Sequence, residues 1–122
     1  MAKAILVADD DPDILSIVSM SLETQGYTVY KATNGREAVD LAKEHHPDLV
    51  LMDMMMPILS GYEAVGELKA DATTRDITIL GLSAKAMATD MERATDVGID
   101  GYITKPFRIA QILTVVESYL QG

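Results

Sequence analysis

Acidic, hydroxyl and basic side chains stand at four points of this chain where a short apolar run stops. Asp9, Asp10 and Asp11 follow Ala4–Ala8, and Asp53 follows Leu49–Met52. Ser83 follows Ile77–Leu82, and Lys105 follows Tyr102–Thr104. Carboxylates brought together repel, and each raises its neighbour's pKa unless a cation joins them. A hard divalent ion with oxygen ligands relieves that strain. Magnesium takes one or two carboxylates and keeps waters that a phosphate can replace. A lysine ammonium is a point charge that can reach a phosphoryl oxygen, and a hydroxyl can donate to another. One of the carboxylates can act as nucleophile and form an aspartyl phosphate. These parts make a phosphoryl-transfer site, where catalysis is mostly positioning and charge neutralisation.

The elements that must position them follow from the apolar pattern. Ala4–Ala8, Thr28–Lys31, Leu49–Met52, Ile77–Leu82 and Tyr102–Thr104 read as strands bounded by turn or acidic residues. The first, third and fourth are apolar almost throughout, as strands covered on both faces of a parallel sheet must be. Helical spacing fills the gaps. Asp11-Pro12 reads as an N-cap and first-turn proline before Ile14, Leu15, Val18 and Leu22, with Gly26 as the stop. Asn34 and Glu37 open a second helix in a pattern close to a capping box, and Ser60 and Glu63 open a third with a true one. Ala86–Val97 is a fourth and Phe107–Leu120 a fifth. Gly66 weakens the third helix on propensity, and Gly81 within a strand allows close approach of a neighbour. The order is βα five times over. It predicts an α/β fold with a five-stranded parallel sheet, doubly wound, as one domain over residues 1–122. In such a sheet ligands bind outside the carboxyl ends of the strands, where all four polar groups fall.

Composition narrows the classes. The net charge of −9 argues against nucleic-acid binding through charge. With no cysteine, disulfides and thiolate metal sites are excluded, which suits a reducing cytoplasm. The apolar run after Lys3 is too short for a signal peptide or a membrane span.

The segments ILVADDDPDI, DLVLMDMMMPILSGYE, LSAKA and GYITKPF resemble, in this order and spacing, the receiver domain of two-component response regulators. The resemblance covers essentially the whole chain and implies the stand-alone, chemotaxis-regulator-like type, with excision from a larger protein left open. It implies a flavodoxin-like receiver fold with Asp53 as phosphoacceptor, served by a sensor histidine kinase or a histidine phosphotransfer protein. It implies that Asp10 ligates magnesium directly, with manganese able to substitute. Asp9 would act through a water, alongside Asp53 and the backbone carbonyl of Met55. Ser83, the Ala84 amide and Lys105 are expected to hold the phosphoryl group. Ser83 and Tyr102 are expected to form the switch, and the Lys105-Pro106 bond to be cis. An unidentified downstream protein is expected on the fourth helix, fifth strand and fifth helix. Met55 and Lys85 depart from the commoner polar residues at their positions, which bears on phosphoryl lifetime.

Other readings fit less well. A haloacid-dehalogenase-type phosphatase needs a second acid two residues after its nucleophile, and Met55 stands there. The chain is therefore expected not to be a turnover enzyme. A flavin or nucleotide carrier needs a hydroxyl-rich phosphate loop after the first strand, where this chain is acidic. A pure docking module predicts no metal binding. Met52, Met54, Met55 and Met56 read as packing, not as a copper site. His45 and His46 read as a helix C-terminus, not as a metal pair, and Tyr27 and Tyr30 as partial core.

Overall fold

The structure, a computed structural model, describes residues 3–83 and 98–120. The predicted fourth helix, Ala84 and Lys85 lie outside the described residues. The chain forms β1 (Ala4–Ala8), α1 (Pro12–Thr24), β2 (Thr28–Ala32), α2 (Gly35–His45) and β3 (Leu49–Asp53). It continues with α3 (Gly61–Ala70), β4 (Thr78–Ser83), β5 (Gly101–Thr104) and α4 (Ile109–Leu120). All strand pairings are parallel, in the order β2-β1-β3-β4-β5.

Alternation along each strand divides the core. Ile5 and Val7 of β1, Leu49 and Leu51 of β3, and Leu80 and Leu82 of β4 face one side. There they meet Leu15, Val18 and Leu22 of α1 and Ile112 and Val116 of α4. Leu6, Ala8, Val50, Met52 and Ile79 face the other side, against Val39 of α2 and Val65 and Leu68 of α3. Both faces of the central strands are thus dry, which is why they read as unbroken apolar runs.

The helix starts behave as their sequences direct, with one refinement. Asp11 accepts from the amides of Asp13 and Ile14. Ser60 and Glu63 satisfy each other's amides reciprocally, at 3.2 Å each way. At α2, Asn34 takes the Glu37 amide at 2.9 Å, but Glu37 reaches past Asn34 to the amide and hydroxyl of Thr33. The capping interaction is therefore one residue longer than a box.

Element ends shift by a residue or two from the predicted ones. Ile77 falls in a turn because its amide goes to the Thr74 carbonyl, so β4 starts at Thr78 and runs to Ser83. β2 extends to Ala32, β3 takes in Asp53, and β5 begins at Gly101. The last helix starts at Ile109, not Phe107, because the Arg108 carbonyl accepts its first bonds, from Gln111 and Ile112. Phe107 still packs on the core from the preceding turn.

Two glycines of α3 meet opposite surroundings. A Cβ at Gly61 would run into the Asp53 carbonyl oxygen and stand 2.5 Å from the Met54 Cα. A Cβ at Gly66 would meet nothing within 4 Å. Gly66→Ala should therefore stabilise the fold by about 0.5–1 kcal/mol through helix propensity. Gly61→Ala should destabilise it by about 1–3 kcal/mol through overpacking. Urea unfolding of the two variants beside wild type checks both signs.

Candidate functional site

The strand order reverses between β1 and β3, and the two buried acids sit at the carboxyl ends of those strands. Asp9 is fully buried and Asp53 is 5% exposed. The Asp9 amide donates to the Ala32 carbonyl across to β2, and Asp9 Oδ1 accepts the Asp11 amide at 2.9 Å. Asp53 Oδ1 accepts the Met55 amide at 3.1 Å. Lys105 leaves the end of β5 by donating its own amide to the Ser83 carbonyl. Its Nζ lies 2.9 Å from Asp9 Oδ2 and 3.4 Å from Asp53 Oδ2. The Lys105-Pro106 peptide bond is cis.

Asp10 is exposed at the mouth of the site, and oxygens of Asp9, Asp10 and Asp53 all come within 4.8 Å of one another. Asp11 is not part of this group and remains a helix cap. Ser83, at the end of β4, is buried. Tyr102 is half-buried in the α2–α3 side of the core, and its hydroxyl has no hydrogen-bond partner among the described residues. Met54 and Met56 turn into the core while Met55 is 71% exposed, so the thioethers do not converge on a ligand. His45 stacks on Tyr30 with ring centroids 4.0 Å apart, and His46 caps α2 in the left-handed region at φ 48. Neither histidine is among the acidic group at the site.

The electrostatics follow from burial. Lack of water pushes the Asp53 carboxyl up to about 6, with the Asp9 charge acting in the same direction. The Met55 amide and Lys105 oppose this without overcoming it. Burial pulls the Lys105 ammonium down, but its contacts with Asp9 and Asp53 together outweigh burial and hold it above the usual lysine value. Among the described residues three carboxylates face one ammonium, an excess of negative charge.

This donor set fits a hard divalent cation. All its groups are carboxylate oxygens, and Asp9 Oδ2 is a buried acceptor with no hydrogen bond among the described residues. Its 2.9 Å contact with the Lys105 Nζ is an ion pair.

Sequence reasoning found the charged groups but missed what braces them. Gly61 brings the start of α3 against the Asp53 carbonyl, and its amide donates to the Met54 carbonyl at 3.1 Å. A Cβ at Gly35 would collide with the Leu59 carbonyl, so the β3–α3 loop lies directly on the start of α2. The glycines were visible in the sequence; which backbone each would touch was not. Gly81 does admit close neighbours, with the Met54 sulfur and Ile99 each 3.2 Å from a Cβ placed there.

The raised Asp53 pKa has a stability consequence. The folded value of about 6 lies above the ordinary 3.8, so between those pH values the folded state binds more protons than the unfolded one. This group therefore costs stability as pH rises from 3.8 to about 6, and the cost is full above that window. Asp53→Asn should stabilise the metal-free protein at pH ~7.5 by on the order of 1–3 kcal/mol, with the gain fading by pH ~4. Chemical denaturation of both proteins at the two pH values, with chelator present, checks this.

Comparison with known proteins agrees with this geometry. The family profile described as the response regulator receiver domain matches residues 5–117. The polar-differentiation response regulator DivK of Brucella ovis is 37% identical over 120 residues, covering 98% of each chain. The chemotaxis response regulator CheY4 of Vibrio cholerae superposes with a TM-score of 0.93 at 28% identity, over 98% of this chain and 100% of that one. The receiver domain of the sensor histidine kinase PA1611 of Pseudomonas aeruginosa has magnesium coordinated in its active-site cleft. It superposes with a TM-score of 0.91 at 30% identity, over the whole of both chains. With a profile match across nearly its full length and an acidic site at the expected strand ends, the chain belongs to the response regulator receiver domain family.

Proposed function

We propose that Asp53 is the residue that accepts the phosphoryl group in this two-component receiver domain. The observation that carries the reading is the contact of one lysine with two buried carboxylates, Asp9 and Asp53, beside a third, Asp10. The donor is a phosphohistidine of a sensor kinase or phosphotransfer protein. An Asp53 oxygen bonds to phosphorus, the P–N bond breaks, and the imidazole leaves with the electron pair. Lys105, already positioned beside Asp53, moves its charge onto a phosphoryl oxygen. The Ser83 hydroxyl and the Ala84 amide complete the cradle, Ala84 lying outside the described residues.

Asp9, Asp10, Asp53 and the Met55 carbonyl would hold the magnesium, for which manganese can substitute. When bound, the cation neutralises the carboxylates and screens charge on the phosphoryl oxygens. The domain assists its own phosphorylation and is not a turnover enzyme, since an acid–base residue is missing at Met55.

Output is a population shift between two arrangements. Phosphorylation draws Ser83 toward the new charge, and Tyr102 moves into the space released. Its hydroxyl, without a hydrogen bond among the described residues, supports this, because a buried hydroxyl lacking a partner favours any arrangement that supplies one. The surface that responds comprises the chain before β5, β5 itself and α4, and it binds a downstream protein in the cytoplasm. No described helix is long and apolar enough to cross a membrane.

Intact mass after incubation with acetyl phosphate and magnesium is the direct test. Wild type should gain one phosphoryl group, and Asp53→Asn or added chelator should abolish the gain. A folded wild type that gains nothing, even as a beryllofluoride adduct, would contradict the assignment. Asp10→Asn should weaken magnesium binding by more than the roughly tenfold that loss of an outer partner commonly causes, as isothermal titration would read.

A further inference from the structure

An acyl phosphate on Asp53 is a mixed anhydride, open to attack from within the chain as well as by water. The shortest internal route runs through the next backbone amide. Met54 N would bond to Asp53 Cγ and the Cγ–O bond to the phosphoryl group would break. Phosphate would leave with the electron pair, and the amide proton would pass to water. The product is a five-membered imide. Hydrolysis opens it partly to isoaspartate, whose main chain runs through the former side-chain carboxyl. Each such event would destroy the acceptor, so a switch that is used repeatedly needs this route closed.

The Asp53–Met54 peptide unit is fixed from both sides. Its N–H donates to the Leu82 carbonyl at 3.0 Å, which extends the β3–β4 ladder one residue past the Asp53–Leu82 pair. Its carbonyl oxygen lies against Gly61, so closely that a Cβ there would collide with it. The next carbonyl, that of Met54, accepts the Gly61 amide at 3.1 Å. Met54 is fully buried, so water cannot replace a bond broken here. Asp53 Oδ1 is meanwhile held toward the Met55 amide. Closing the imide requires the Met54 nitrogen to turn from Leu82 toward Asp53 Cγ. That rotation strips a buried hydrogen bond and drives the peptide unit against the start of α3.

We propose that the Met54 amide–Leu82 carbonyl pair, wedged by Gly61, protects phosphorylated Asp53 from imide formation and so keeps the acceptor reusable. The inference rests on Asp53 being the acceptor. Met54, Leu82 and Gly61 act here as positioning residues through backbone atoms, and their side chains take no part.

The test compares one phosphoprotein in two states. Protein phosphorylated with acetyl phosphate and magnesium is either left folded until the group is lost, through repeated cycles, or transferred at once to guanidinium at the same pH and temperature. Isoaspartate at position 53 is then quantified by peptide mapping. The folded sample should match a never-phosphorylated control. The unfolded sample should contain at least about tenfold more, a factor of the order carried by one buried hydrogen bond. Comparable isoaspartate in both states would overturn the proposal, and so would its absence from both. Mass gain is read first on the same material. Its absence would remove the acceptor assignment and this inference together, whereas isoaspartate in folded, phosphorylated protein removes only the inference.

Discussion

Asp9 and Asp53 have lost their water, and among the described residues a single ammonium, that of Lys105, lies within 3.4 Å of both. Everything else in the structure is arranged around that shortage of positive charge. Two buried carboxylates next to each other cannot both be comfortably ionised. The described residues supply one lysine and two backbone amides, from Asp11 and Met55. What is left is an excess of negative charge, with Asp10 adding to it at the rim. A site that satisfied its own charges would have no use for a cation or for the phosphoryl group that follows it. Incomplete compensation is therefore the functional property, and it is set by burial more than by the number of charged residues.

Holding like charges together requires a rigid support. Parallel strands buried on both faces provide it, because neither β1 nor β3 can shift without exposing apolar side chains to water. The loops that leave those strands are held by backbone contact. The β3–α3 loop is held between Gly35 of α2 and Gly61 of α3, and the β4–β5 edge by the Lys105 amide on Ser83. The acidic edge is thus fixed by hydrophobic packing beneath it and by main-chain hydrogen bonds around it. Among the described residues two buried hydroxyls lack a hydrogen bond, those of Ser19 on α1 and Tyr102, and the latter stands on β5, the strand that leads to Lys105.

Much of this was legible in the chain. Strand runs ending in Asp9, Asp53, Ser83 and Lys105 are enough to bring those residues to one edge, because parallel βα units put all strand ends on the same side. Caps at Asp11 and Ser60 were readable because their chemistry is local. The misses have physical reasons. Ile77 is as apolar as a strand residue but is captured by a turn bond to Thr74. Glu37 prefers Thr33 over Asn34, a choice between adjacent amides that spacing does not encode. The splitting of Asp9, Asp10 and Asp11 into a buried ion-pair partner, an exposed carboxylate at the rim and a helix cap depends on where the strand ends, not on composition. Close approach at Gly35 and Gly61 arises between segments distant in sequence, so only the folded chain displays it.

The most direct measurement is a carbon-detected NMR titration of the Asp53 side-chain carboxyl in metal-free protein, repeated with magnesium. Charge left uncompensated by burial predicts a midpoint near 6 without metal and a clear fall when magnesium binds. A midpoint at the ordinary 3.8, indifferent to magnesium, would contradict the account.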